Sequence, residues 1–391
     1  MSRFGIFLLI GSLVLILILL GFLRRLPNSS AHKPAAETAR VALGGGGAAV
    51  QPGTTGAGSG AAASAKATTA DEQARAALVE NVRQALAVLN DPANPNKAQA
   101  LAALRDALRA AEPTVAIGAI RQFLATGEDA KTGQGFKVGS GGTLEETPSL
   151  RTFLMDQLGT VARGIGSQEA AAEARTTLAT HGSADEWAVA MRNLGWTDPE
   201  GSRAVLAGKA RELLNDPNWK QSPTGGYLEA FDSIPYSGDA SLVAELVPLA
   251  TTRSGTQQAA LVALQRLSAL APGQMAAYLN DTPGVLADKP GLRADYMGSL
   301  DLTQPGQLNQ AETYLSRSDV ADTEKTKFLE RLGTPAQFVS NNLLTPSHAA
   351  TMDLADHRAM ANTQASAWLT ANKYPQLQTA LQALVEQTKE P

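Results

Sequence analysis

Cysteine is absent from this chain of 391 residues. Disulfides, thiolate metal sites, iron–sulfur clusters and thiol nucleophiles are therefore excluded together. Histidine is scarce, with four residues, at positions 32, 181, 348 and 357, so few metal or general-base arrangements remain. Aromatic residues make up only 5% of the chain. Few aromatics among many alanines point to close helix packing without a deep pocket. An excess of basic charge is missing too. The chain has 33 basic and 37 acidic residues, a formal net charge of −4, so no nucleic-acid partner is expected.

One long hydrophobic run is present. Phe4 to Leu23 contains no charged residue. As a helix it would span roughly 30 Å, the thickness of a bilayer's hydrocarbon core. Arg3 precedes it and Arg24-Arg25 follow, placed to snorkel to the headgroups. The segment predicts a single-pass transmembrane signal-anchor over residues 4–23. A cleaved signal peptide is the alternative, though its apolar region is usually shorter, about 7–15 residues. Orientation divides the signals. Arg24, Arg25, Lys33 and Arg40 outnumber Arg3 and the amino terminus, which by the positive-inside rule places the body in the cytoplasm. The three-residue N-terminal tail suits an exported body instead. The expected location is a bacterial-type inner (cytoplasmic) membrane with the body on the periplasmic side, and a cytoplasmic body is the alternative.

Residues 27–70 are dominated by Ala, Gly, Ser, Thr and Pro, including four consecutive glycines from Gly44 to Gly47. Such a stretch buries too little apolar surface to offset the entropy of ordering. A disordered tether is expected, with a root-mean-square span of about 33–40 Å.

From residue 71 to 391 apolar residues recur at helical spacing, as in Leu78, Val82, Leu86 and Leu89, or Leu150, Phe153, Leu154 and Leu158. Trp187 falls on such a stripe and is assigned to the core. Thr147-Pro148, Asp198-Pro199, Ser222-Pro223, Thr282-Pro283, Thr334-Pro335 and Thr345-Pro346 read as N-cap residues followed by proline at the first helical position. Asp91-Pro92 and Asp216-Pro217 read either as caps or as turns. The fold class is all-α: an array of short antiparallel helices arranged as an α-solenoid, in about eight units of roughly 40 residues. In these small-residue-rich helices punctuated by caps and prolines, the body resembles HEAT-like repeat arrays. A non-repeating all-α domain is the alternative.

One segment breaks the helical rule. Residues 135–144, GFKVGSGGTL, read as a small hairpin with Phe136 and Val138 alternating on one arm. No strand–turn–helix context makes it a nucleotide loop. The expected role is a protruding loop that meets a partner through Phe136, Lys137 and Ser140. The following stretch, Pro148 to Phe153 with Arg151, and then Asp156, resembles lipase-specific foldases, whose helical bodies carry an Arg–x–x–Phe-Asp motif behind an anchor and tether. Here Phe153 and Asp156 are not adjacent. The resemblance implies an accessory that acts on an exported client.

Other chemistry is thin. Asp353 and His357 stand at i, i+4 beside His348 and Asp356, a pattern expected to be a pair on a solvated helix rather than a metal site. Glu145-Glu146 and Asp185-Glu186 read as helix-start acids. Trp196 reads as a staple across a helix start. Trp219, read as lying in a loop, is the aromatic expected to meet a partner. No catalytic set, cofactor or metal site is expected. These readings combine into a membrane-tethered, non-catalytic helical-repeat scaffold that binds a protein partner at the cell envelope. A membrane-anchored foldase and a hydrolase with an unrecognised site are the alternatives.

Overall fold

The structure is a computed structural model that describes residues 59–334, 339–348 and 352–389, with side chains from residue 69 onward. The chain divides into two units, Met1–Ala57 and Gly58–Pro391, and every described residue belongs to the second. The expected anchor at 4–23, most of the expected tether and Pro335 of the Thr334-Pro335 pair lie outside the described residues. Among the described residues no helix is long and apolar enough to cross a membrane.

The second unit is mostly helical, as the apolar spacing predicts. Its first helix, α1, runs from Ser59 to Asn90. Residues 59–70, read from the sequence as tether, therefore belong to a helix. Their alanines carry the highest intrinsic helix propensity and extend the amphipathic turns that follow. Helices α2 (Lys97–Ala110) and α3 (Pro113–Leu124) pack on α1. A two-stranded antiparallel hairpin comes next, β1 (Lys137–Val138) with β2 (Leu144–Glu146). Then follow α4 (Leu150–Ala162), α5 (Gln168–Ala179), α6 (Ala184–Thr197), α7 (Arg203–Asn215) and the short α8 (Pro217–Gln221), α9 (Gly225–Glu229) and α10 (Ser233–Ser237). The remaining helices are α11 (Val243–Thr251), α12 (Gln257–Leu270), α13 (Pro272–Asp281), α14 (Pro290–Met297), α15 (Pro305–Ser316), α16 (Asp322–Gly333), α17 (Leu354–Thr370) and α18 (Gln378–Thr388).

Helix starts depart from the proline reading. Of the six expected Thr/Ser/Asp–Pro caps, none opens a described helix. Asp198-Pro199 and Thr282-Pro283 begin turns, and Thr345-Pro346 lies in a loop. The working caps sit beside them. Ser149, Ser167, Ser183 and Thr224 each accept a backbone N–H in the first turn of α4, α5, α6 and α9. Proline fixes its own φ in a turn as readily as in a helix, so the dipeptide does not separate the two. Asp216-Pro217 does open α8, with Asp216 accepting from Trp219 N at 2.8 Å. Glu112 caps α3 ahead of Pro113.

The innermost helices are α4 and α6. Leu150, Phe153 and Leu154 are fully buried, and so are Ala188, Val189, Ala190 and Leu194. Each large apolar side chain removed from water contributes about 1.5–3 kcal/mol. The two backbones approach closely at Gly159, where an added Cβ would overlap Asn193 Oδ1. Farther along, contacts alternate in a regular way. Helices α10, α12, α14, α16 and α18 touch in succession, and α11, α13, α15 and α17 pack beside them. A buried ion pair, Arg293 with Glu324 at 2.6 and 2.9 Å, ties α14 to α16. One segment runs against this local order. Residues 339–348 fold into a loop, with Ser340 N donating to Ser347 O at 3.1 Å, and that loop reaches back to the turn before α10.

Candidate functional site

The hairpin is docked and does not protrude. Phe136 is half-buried against Gly225 and Gly226 at the start of α9, where a Cβ on Gly225 would come within 2.7 Å of it. Val138 and Leu144 face the core. Beneath them Arg192, fully buried, pairs with Asp156, donates to Gly142 O at 2.9 Å and lies over the Trp196 ring at 4.2 Å. Asp156 in turn accepts from Leu144 N at 3.0 Å. Burial pulls Arg192 below the usual arginine value, and Asp156 opposes that pull. Lys137 and Ser140 stay exposed, with Lys137 held by Glu145 at 2.7 Å. Of the hairpin residues expected to meet a partner, these two are open to solvent and Phe136 belongs largely to the fold.

Trp219 lies in α8 and not in a loop. It stacks on His181 at 4.8 Å and meets Trp187 edge-on at 5.1 Å. Asp216 fixes His181 at 2.8 Å. Trp219 is half-buried and its contacts differ from those of Phe136. Trp196 is a platform for Arg163 and Arg192, not a helix staple. The motif residues of the foldase resemblance part company: Arg151 binds Glu186 at 3.1 Å while Asp156 binds Arg192. Asp185 accepts from Gly226 N at 2.8 Å and Thr224 Oγ1 at 2.6 Å. Only Asp353 of the Asp353–His357 pair is solvated. Asp353 caps α17, and His357 is buried, its basicity lowered by desolvation. No group of three or more His, Cys, Asp or Glu among the described residues is placed to hold a metal ion.

Contrary to the sequence expectation, pockets open on both sides of α12. The first is a cavity of about 290 Å³ between α9, α12 and residues 340–342. Leu228, Phe231, Ala259, Val262 and Ala263 give it apolar walls, and Glu229 is among its lining residues. No hydrogen bond or ion pair engages the Glu229 carboxyl among the described residues. Desolvation, with Asp232 adding in the same direction, pushes it up to about 7.

The neighbouring charges are committed elsewhere. Asp232 accepts from Leu344 N at 2.7 Å, from Thr345 N at 2.9 Å and from Thr345 Oγ1. Arg266 donates to Thr345 Oγ1 at 2.9 Å, to Ser340 Oγ at 3.3 Å and to Pro346 O. The sequence signal for this site was a carboxylate pair at i, i+3, Glu229 and Asp232, on a short helical stretch. The arginine and the closing loop lie far away along the chain.

The second pocket, about 360 Å³, is a trough between α12, α14 and α16 that shares Gln258 with the first. Gln258, Leu261, Gln265 and Ser268 recur along one face of α12. Opposite them lie Asp295, paired with Arg331 at 2.6 Å, and Tyr296. Tyr296 is only 4% exposed, and its hydroxyl has no hydrogen-bond partner among the described residues. Burial raises its pKa well above the usual tyrosine value, so it remains a neutral donor. A buried hydroxyl without a partner costs roughly 1–3 kcal/mol.

Compared with protein-family models, curated proteins and solved structures, the chain matches none of them.

Proposed function

We propose that this chain is a membrane-tethered, non-catalytic scaffold whose body is an α-solenoid-like array that grips an extended segment of a protein partner in the trough along α12. The observation that carries the reading is the Tyr296 hydroxyl, buried without a partner in a trough lined by the side-chain amides of Gln258 and Gln265 on α12. An extended peptide offers unpaired backbone carbonyls and amides that these groups can satisfy. The succession of contacts among α10, α12, α14, α16 and α18 supports the solenoid reading. The apolar run at 4–23 supports the anchor. A tether raises the effective concentration of the body for partners at the same membrane. A hydrolase reading rests on Glu229 alone, because both Asp232 oxygens are already occupied.

The test uses a photo-crosslinking amino acid at Gln265 in the full-length protein in cells. Arg358, exposed on α17, is the control position. The reading expects one protein to crosslink from 265 and not from 358. The crosslinked segment, mapped and synthesised as a peptide, then binds the purified full chain and loses at least about tenfold in affinity with Tyr296→Phe, on the order of 1.4 kcal/mol. Equal crosslinking from both positions, or no loss with Tyr296→Phe, overturns it.

A further inference from the structure

The cavity on the other side of α12 calls for a different ligand. Its charged groups are Glu229 and Asp232 on the α9 side and Arg266 on α12. Residues 340–342, Gly255 and Gln258 complete the polar lining and carry no charge. Arg266 lies 3.6 Å from Asp232, so those two compensate each other, and both are saturated by the 340–346 loop. Glu229 is left as the single uncommitted ionisable group, set among Leu228, Phe231, Ala259, Val262 and Ala263. A neutral apolar ligand would leave that carboxyl unsatisfied, and an anionic one would meet a net negative site. A cation with an apolar body satisfies both features. Size limits it further. A cavity of about 150 Å³ holds a benzene, so about 290 Å³ takes a molecule on the order of ten non-hydrogen atoms.

We propose that the cavity between α9, α12 and residues 340–342 is a binding site for a small hydrophobic primary amine, with its ammonium on the Glu229 carboxylate and its apolar body against Phe231 and Val262. This site lies across α12 from the peptide trough, shares only Gln258 with it, and does not depend on it. An ammonium of this kind stays protonated to about pH 10. Occupancy therefore follows the ionisation of Glu229, and affinity rises with pH through neutrality.

The probe is 2-phenylethylamine, titrated by calorimetry into the full-length protein in lipid nanodiscs, with empty nanodiscs subtracted. Phenylethanol and phenylacetate are the neutral and anionic comparators. The proposal expects saturable binding of the amine at about pH 8.5, weakened roughly 30-fold at about pH 5.5, where only a few per cent of Glu229 is ionised. It expects both comparators to bind at least about tenfold more weakly. Glu229→Gln should weaken the amine by a similar factor and remove the pH dependence. Ala259→Phe, which fills the cavity from a half-buried position, should abolish binding without touching Glu229. Failure of the amine to bind the wild-type chain overturns the proposal. So does equal binding of phenylethanol or phenylacetate, or unchanged binding by a folded Ala259→Phe.

Discussion

Arg266 and Asp232 lie 3.6 Å apart, both buried, and between them they hold Ser340, Leu344, Thr345 and Pro346 of a loop far along the chain. A helical array built from neighbouring contacts has no local reason to keep residues 339–348 beside the turn before α10. This pair supplies the reason, and in doing so it forms one wall of the cavity that Glu229 enters.

Replacing Arg266 with Met is accordingly expected to destabilise the protein by about 3–5 kcal/mol, because Asp232 is left as a buried charge without its counter-ion. Urea denaturation measures that loss. Amide hydrogen exchange locates it: the Leu344 and Thr345 amides, which donate to Asp232, should lose protection before those of α4. The double variant Asp232→Asn with Arg266→Met should cost less than Arg266→Met alone. Equal protection of Leu344 and Thr345 in wild type and variant would show that the loop is held by other contacts.

A second expectation compares neighbouring glycines. Gly141 and Gly142 both have positive φ, at 70° and 82°. A Cβ on Gly141 meets open space, whereas one on Gly142 overlaps the Leu343 carbonyl and presses on Trp196. Gly141→Ala should cost only the left-handed backbone penalty, about 1–2 kcal/mol. Gly142→Ala should cost that penalty plus about 1–3 kcal/mol of overpacking. Thermal unfolding of the two variants side by side decides the matter, and equal costs would mean that the loop yields at no expense.

These two relationships mark where the sequence could be read and where it could not. The stripe of Leu150, Phe153, Leu154 and Leu158 is local, and α4 buries all four residues. Helix class and approximate position followed from such spacing, because one turn of helix sets which side chains share a face. Cap assignment failed at Asp198-Pro199 and Thr282-Pro283 because proline serves turns and helix starts alike. The site was hidden for a different reason. Glu229 is one acid among 37. Its character comes from apolar walls on α12 and a loop held by Arg266, none of which is adjacent in sequence. Phe136 and Trp219 were singled out as aromatics in short irregular stretches. What sequence could not show is that Gly225-Gly226 and His181 were waiting to cover them.

Tyr296 offers a test in which stability and binding move in opposite directions. Its hydroxyl is buried and unpartnered, so Tyr296→Phe removes a desolvation cost and loses no intramolecular bond. The free protein should be unchanged or more stable, by at most about 1–3 kcal/mol. The partner segment recovered by crosslinking should nonetheless bind more weakly. Substantial destabilisation by Tyr296→Phe in denaturant titrations would mean that the hydroxyl already has a partner, and the trough would lose its main reason for taking a peptide.

The pH dependence of stability follows from Glu229 and runs opposite to that of a salt-bridged carboxylate. Its pKa rises from 4.5 to about 7 on folding, so the folded state binds the proton more tightly than the unfolded chain. The resulting stabilisation is fully present below about pH 4.5 and is lost as pH rises toward 7. Above that range the wild type carries a half-buried, unpaired carboxylate that Glu229→Gln lacks. The variant should therefore be more stable than wild type near pH 8, by at most about 3 kcal/mol. Near pH 4.5 the difference should shrink toward zero. Chemical denaturation of both proteins at the two pH values measures it. A saturating hydrophobic amine should reverse the sign for the wild type, because a cation on the carboxylate restores at high pH what deprotonation removed. A wild-type chain that stays less stable than Glu229→Gln at pH 8 with the amine present would separate the raised pKa from ligand binding and leave it as a cost of the fold alone.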